Sequence, residues 1–273
     1  GLAIGVAMAF QFMPEYSPHA RLLHLHVILL GFVTMAMIGA THRLLPIILN
    51  AELHSPRLAR LVMVVLPAGF AILIGGFLTS SLRLELAIGG LLVLSIGLYA
   101  YNLLRTWVGS GHPGNAASDH LVVATFFLVL MMSMGLLVGA NFLPQLPVLT
   151  FGSLHLAAYT HMALIGFILQ TVLGALSHGI PEILATSRIA SRKKQGPYRD
   201  QLAAIMDRWR AVQLTGLSLG TMGFGVLAAM TWNFPLSSLS IQIATWVTVG
   251  LLLGSLTLFT AKLAWALGIR PLE

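Results

Sequence analysis

The sequence predicts an all-α integral membrane protein, a bundle of about eight transmembrane helices, and three observations carry that expectation. Of 273 residues, 57% are hydrophobic and only 8% are charged, against about 25% charged in a soluble domain. The apolar residues gather into stretches of roughly 20 or more, the length that crosses a hydrocarbon layer. The charges lie between those stretches, so the net charge of +7 reflects membrane topology and implies no nucleic-acid partner. Cysteine is absent, which excludes disulfides, iron–sulfur clusters and thiolate metal sites.

Seven stretches are long enough to span, near 20–49, 57–80, 82–108, 118–142, 153–184, 208–233 and 238–268. The opening segment 1–14, beginning GLAIGVAMAF, reads as the second half of an eighth span whose start lies upstream. A signal peptide is the weaker alternative, because no basic region precedes the apolar run. Threaded alternately, all of the 15 Lys and Arg except Arg21 and Arg83 fall on or near one side. By the positive-inside rule that side is cytoplasmic. This places the C-terminus and the basic segment SRIASRKKQGPYRD in the cytoplasm, and the protein in a bacterial-type inner membrane. The segment 185–207 reads as a solvated cytoplasmic loop, with contact to anionic lipid or a partner subunit as the alternative.

The chain resembles itself. HVILLGFVTMAMIGATHRLLP (26–46) lies on HMALIGFILQTVLGALSHGIP (161–181) without a gap, pairing His26 with His161, Gly31 with Gly166, Gly39 with Gly174 and Pro46 with Pro181. GLAIGVA (1–7) pairs with GLLVGAN (135–141), and Arg57 and Gly69 pair with Arg208 and Gly220. The expected organisation is a four-helix unit present twice, at 1–109 and 110–273. An even number of helices per unit makes the repeats parallel.

Ten histidines are present, and His24, His26, His42, His120, His155, His161 and His178 lie in or at the ends of spans. An ionisable group in hydrocarbon is a functional candidate; the alternative for each is a neutral imidazole bonded to a neighbouring helix. His26 and His161 stand apart because the repeat puts them at equivalent positions and depth. Two neutral imidazoles facing each other are what a six-coordinate haem iron takes. Gly31 and Gly166, five residues further along, leave room for a macrocycle or, alternatively, for close helix packing. His24 and His26 are about 200° apart around a helix. His24 and His42 are five turns apart, sharing a face at a separation of about 27 Å in a regular α-helix. His42 and His178 could hold a second haem, although His178 aligns with Arg43 and the repeat does not support that pair.

HLHVILLGFVTMAMIGATHRLLP (24–46) resembles the tenth helix of subunit I of the haem–copper oxygen reductases, with its His-x-His, mid-span glycines and late His and Pro. HMALIGFILQTVLGALSHGIPEIL (161–184) resembles the second helix of that family and of the nitric oxide reductases. The resemblance implies that His26 and His161 ligate one low-spin haem b and that His24 is the high-spin ligand. His155 and Tyr159 have the His-x-x-x-Tyr spacing of a copper-ligand helix, but the adjacent His-His pair of the family is absent, so no copper is expected. The family has twelve helices or more, and this chain looks like a reduced relative. It is also similar in its repeats to haem-containing membrane proteins of the nitric oxide response. These likenesses imply a cytochrome b-type subunit of a larger respiratory complex, non-catalytic itself. Its haem b, or two haems if His42 and His178 also pair, would exchange electrons with a quinol, a periplasmic cytochrome or another subunit. The alternatives are a high-spin haem that binds or reduces nitric oxide or oxygen, and a proton or metal transporter that uses intramembrane histidines.

Overall fold

The computed structural model describes residues 2–10, 23–140, 143, 158–231 and 234–271. No strand occurs among them. The helices are α1 (Leu2–Ala9), α2 (Leu23–Leu49), α3 (Pro56–Leu78), α4 (Leu82–Gly109), α5 (Ala116–Ala140), α6 (Ala158–Arg188), α7 (Arg192–Asp207), α8 (Arg210–Met230) and α9 (Leu239–Gly268). Seven of them, α2 to α6 with α8 and α9, are long and apolar enough to cross a membrane, and they coincide with the seven expected spans. The chain is an all-α, multi-pass membrane protein.

Two spans depart from α geometry. In α2, residues Val27–Thr34 form a π-helix before the α-helix resumes at Met35, and in α6 the same occurs at Met162–Leu169 before Gln170. π-Helices bond i to i+5 and are rare, mostly confined to a single turn. Each of these begins at the residue after a histidine that the internal repeat pairs, His26 or His161. The π-turns also change a count made for a regular helix. His24 and His42 flank Val27–Thr34, so five whole α turns do not separate them and they need not share a face.

Two compact units divide the chain: 1–46 with 51–109 and 129–151, and 47–50 with 110–128 and 152–273. In the first, Ser55 caps α3 by accepting from the Leu58 amide at 3.2 Å, and Pro56 occupies the first turn, where its missing N–H costs nothing. The link before α3 is tied to α4: the Ser55 amide donates to Asn102 Oδ1 at 2.8 Å, Asn102 Nδ2 donates back to the Ser55 carbonyl at 3.1 Å, and the His54 amide donates to Thr106 Oγ1 at 2.9 Å. α3 and α4 pack where Gly69 admits Leu92 and Gly76 admits Glu85.

In the second unit, α8 and α9 run antiparallel along a seam of small residues. A Cβ on Gly216 would lie 2.5 Å from Ser255 Oγ, on Gly220 2.7 Å from Leu252, and on Gly223 2.5 Å from Thr248 Oγ1. The ascending series on one helix meets a descending one on the other, as backbones that approach through glycine do in membranes. α5 starts with a reciprocal cap: Asn115 Oδ1 accepts from the Ser118 amide at 2.8 Å, and Ser118 Oγ accepts from the Asn115 amide at 3.0 Å. The Asp207 carboxylate takes a further first-turn amide, that of Ala116, at 2.6 Å.

The basic segment 185–207 differs from expectation: most of it is α7 rather than a solvated loop. Tyr198, Leu202 and Ile205 repeat at helical spacing and are buried with Ala185 of α6 and Ala266 of α9, while Arg192, Lys193, Lys194 and Arg199 stay exposed. Arg188 fastens this end by donating to the Leu267 and Ile269 carbonyls at 3.0 and 2.7 Å and to the Tyr198 hydroxyl at 2.9 Å, satisfying acceptors that the end of α9 leaves orphaned.

The seam predicts a contrast between glycines. Gly220→Ile should destabilise the detergent-solubilised protein by about 1–3 kcal/mol, lowering its thermal unfolding midpoint. Gly250→Ala, where an added Cβ meets nothing within 4 Å, should leave the midpoint unchanged or raise it.

Candidate functional site

The spans place the candidate histidines in three kinds of environment. His26 and His161 are partly buried, each immediately before a π-helical segment. The His26 ring lies 4.8 Å from Phe77 on α3, tilted by 50°, and the His161 ring lies 4.1 Å from Phe224 on α8, tilted by 31°. In both units the imidazole thus rests on a phenylalanine of the next transmembrane helix. The glycines five residues on are close-packing positions: a Cβ on Gly31 would lie 2.4 Å from the Phe70 ring, and one on Gly166 2.5 Å from Phe127. Those rings fill the face that the absent side chains leave.

His24, partly buried, packs against α1, its ring 2.9 Å from where a Cβ on Gly5 would stand. His155 lies outside the described residues, so its pairing with Tyr159 does too. His178 is partly exposed on α6.

His42 is buried, and among the described residues neither of its ring nitrogens has a hydrogen-bond partner. The Ile38 carbonyl one turn back is the nearby acceptor, outside hydrogen-bonding geometry, and the ring meets Tyr99 edge-on at 5.1 Å. Leaving a buried polar group unpaired is costly, and such an exception calls for an explanation. An imidazole whose nitrogens are unengaged by its own protein has the donor chemistry of an axial ligand.

His120 is the opposite case. It is 1% exposed near the start of α5 and is bonded on both sides. Nδ1 donates to Gln170 Oε1 of α6, which leaves Nε2 to accept from Gln213 Nε2 of α8 at 3.2 Å. Gln170 Nε2 continues the chain to Ser218 Oγ at 3.3 Å, and Gln213 Oε1 is buried without a partner. Lys262 of α9, 2% exposed, donates to the Met206 carbonyl at 2.7 Å. Towards the end of the same unit, Asp119 pairs with Arg210 at 3.4 Å. Of this group, sequence reasoning singled out only His120. Gln170 and Gln213 were visible as carboxamides inside apolar stretches, and Lys262 as a lysine within a span. The structure buries that lysine.

Among the described residues no three His, Asp or Glu side chains group as a metal site. In comparisons with known proteins, no family model and no curated protein matches the chain. Fold and polar interior together define a multi-pass helical membrane protein with ionisable groups held inside its spans.

Gln170→Leu should remove the acceptor of the His120 Nδ1–H and cost about 1–3 kcal/mol in thermal unfolding. Adding His120→Phe should recover part of that loss, because removing both members of a buried pair costs less than removing one.

Proposed function

We propose that the chain is a membrane cytochrome b-type subunit that holds one haem b between His26 and His161 and passes electrons within a larger redox complex. One observation carries the reading: the two histidines that the internal repeat aligns each open a π-helical segment of the same length and register. π-Turns inside helices concentrate at functional sites. The donor set fits the group, since two neutral imidazoles complete a six-coordinate haem iron and both rings are partly buried against a phenylalanine. Bound there, haem would supply one-electron redox chemistry. The chain's own part is to fix each imidazole against Phe77 or Phe224 and to keep water from it with apolar spans. His42 is the candidate for a second haem. Electron exchange with a quinol, a periplasmic cytochrome or a partner subunit, and residence in a bacterial-type inner membrane with the Arg-rich end cytoplasmic, belong to the same proposal.

The purified protein should show a reduced-minus-oxidised haem b spectrum insensitive to carbon monoxide. His26→Ala and His161→Ala should each abolish it. Loss with only one variant rules out the shared haem, carbon monoxide sensitivity shifts the assignment to a high-spin haem at His24, and a folded protein without haem ends the proposal.

The His120 chain favours a second reading, proton passage through the second unit. An imidazole that donates at one nitrogen and accepts at the other can take a proton on one side and release one from the other, and His120 is so placed between Gln170 and Gln213. In proteoliposomes, His120→Phe should abolish any proton flux that the wild-type chain supports. Flux unchanged by this variant excludes His120 as the relay.

A further inference from the structure

The corner between α7 and α8 carries strain that the two helices do not require. α7 ends at Asp207 and α8 begins at Arg210, so Arg208 and Trp209 alone turn the chain. Arg208 has φ −59° and ψ 128°, and Trp209 has φ 53°. Trp209 therefore lies in the left-handed region, which favours glycine. A bulky residue there is an outlier that persists only where its surroundings over-determine it. The corner is so held: the Met206 carbonyl accepts from buried Lys262, Asp207 takes the Ala116 amide, and the Trp209 carbonyl accepts from the Gln213 amide at 3.1 Å.

The strained conformation presents Trp209, 54% exposed, beside the Arg208 guanidinium, whose carbon lies 4.4 Å from the Trp209 ring centroid. The same carbon lies 5.1 Å from the centroid of the Trp265 ring, 44% exposed in the last turns of α9. Two indoles thus bracket one cation. Its neighbour Arg210 is engaged with Asp119 and donates to the Gly114 carbonyl at 2.6 Å. Arg208, by contrast, has no carboxylate partner and donates to no protein acceptor among the described residues.

We infer that Arg208, bracketed by Trp209 and Trp265, binds the phosphate of an anionic phospholipid headgroup. The corner stands at the start of the α8 span, its Arg208 near Trp265 towards the end of the α9 span, and tryptophans at span ends sit at headgroup level. Val212 and Leu267, both exposed, offer an apolar surface beside it for the acyl chain. Exposed Arg192, Lys193 and Lys194 of α7, none in an ion pair among the described residues, add attraction for an anionic surface. A phosphate attached to an acyl chain uses all of these features, and a free phosphate uses only the guanidinium.

The test titrates the detergent-purified chain by calorimetry with short-chain phosphatidylglycerol, phosphatidylcholine and inorganic phosphate. Phosphatidylglycerol should bind saturably, and neither of the others should displace it. Arg208→Gln and Trp265→Leu should each weaken binding by about fivefold. Trp209→Gly should weaken binding while raising the thermal unfolding midpoint, because glycine relieves the turn. The inference is overturned if Arg208→Gln binds like the wild type, if inorganic phosphate displaces the lipid, or if Trp209→Gly lowers the midpoint with binding unchanged. The last result would make Trp209 a packing residue only.

Discussion

In hydrocarbon a polar atom finds its partner within the protein or goes without, and the rest of this structure depends on that constraint. Several hydroxyls of the spans find a partner locally, while Ser95 Oγ is buried without one among the described residues. Thr41, Thr106, Thr125, Thr171, Ser177, Thr221 and Ser255 each donate to the carbonyl four residues back, which satisfies the hydroxyl at the cost of a slight local bend or destabilisation of the helix. Longer polar side chains are spent on the helix ends. Asn102, Asp207, Lys262 and Arg188 each reach a backbone group of another element that its own helix leaves unpaired. They join spans at their termini, where apolar surface against lipid supplies no drive to associate.

With the ends fixed this way, the contacts along the spans are set by how closely backbones approach. Gly216, Gly220 and Gly223 bring α8 onto α9, and Gly31 and Gly166 each admit a phenylalanine ring. The last two lie within the π-helical segments, so the local widening of the helix and the close packing of a ring occur at the same turns. The imidazoles of His26 and His161 stand just before those turns, each against a phenylalanine ring.

The spans were legible because hydropathy integrates over about twenty residues and local errors average out. α7 was not read as a helix because Gly196 and Pro197 interrupt a basic run and resemble a loop. The spacing of Tyr198, Leu202 and Ile205 was the available signal, and it becomes decisive only once α6 and α9 offer a surface to bury it. Of the candidate site, the sequence correspondence of His26 with His161 was legible, while the π-turns after them were not, because no residue pattern distinguishes VILLGFVT or MALIGFIL from ordinary apolar helix. The difference between His42 and His120 was equally invisible. Both are histidines near the ends of spans, and only the neighbours decide that one is bonded at both nitrogens and the other at neither.

That difference separates what the two repeats share from what they do not. Under the alignment, His26 and His161 correspond, as do Gly31 and Gly166. Gln170 corresponds to Met35, Gln213 to Val62 and His42 to Ser177, so the polar chain around His120 and the unpartnered imidazole at His42 each belong to one repeat alone. Val62 and Gln213 are both buried, and a carboxamide at an interior position is tolerated only with partners. The haem proposed above would draw on the aligned positions and be indifferent to direction. Moving electrons or protons one way needs an asymmetry, and in this chain the asymmetric positions are the buried polar ones.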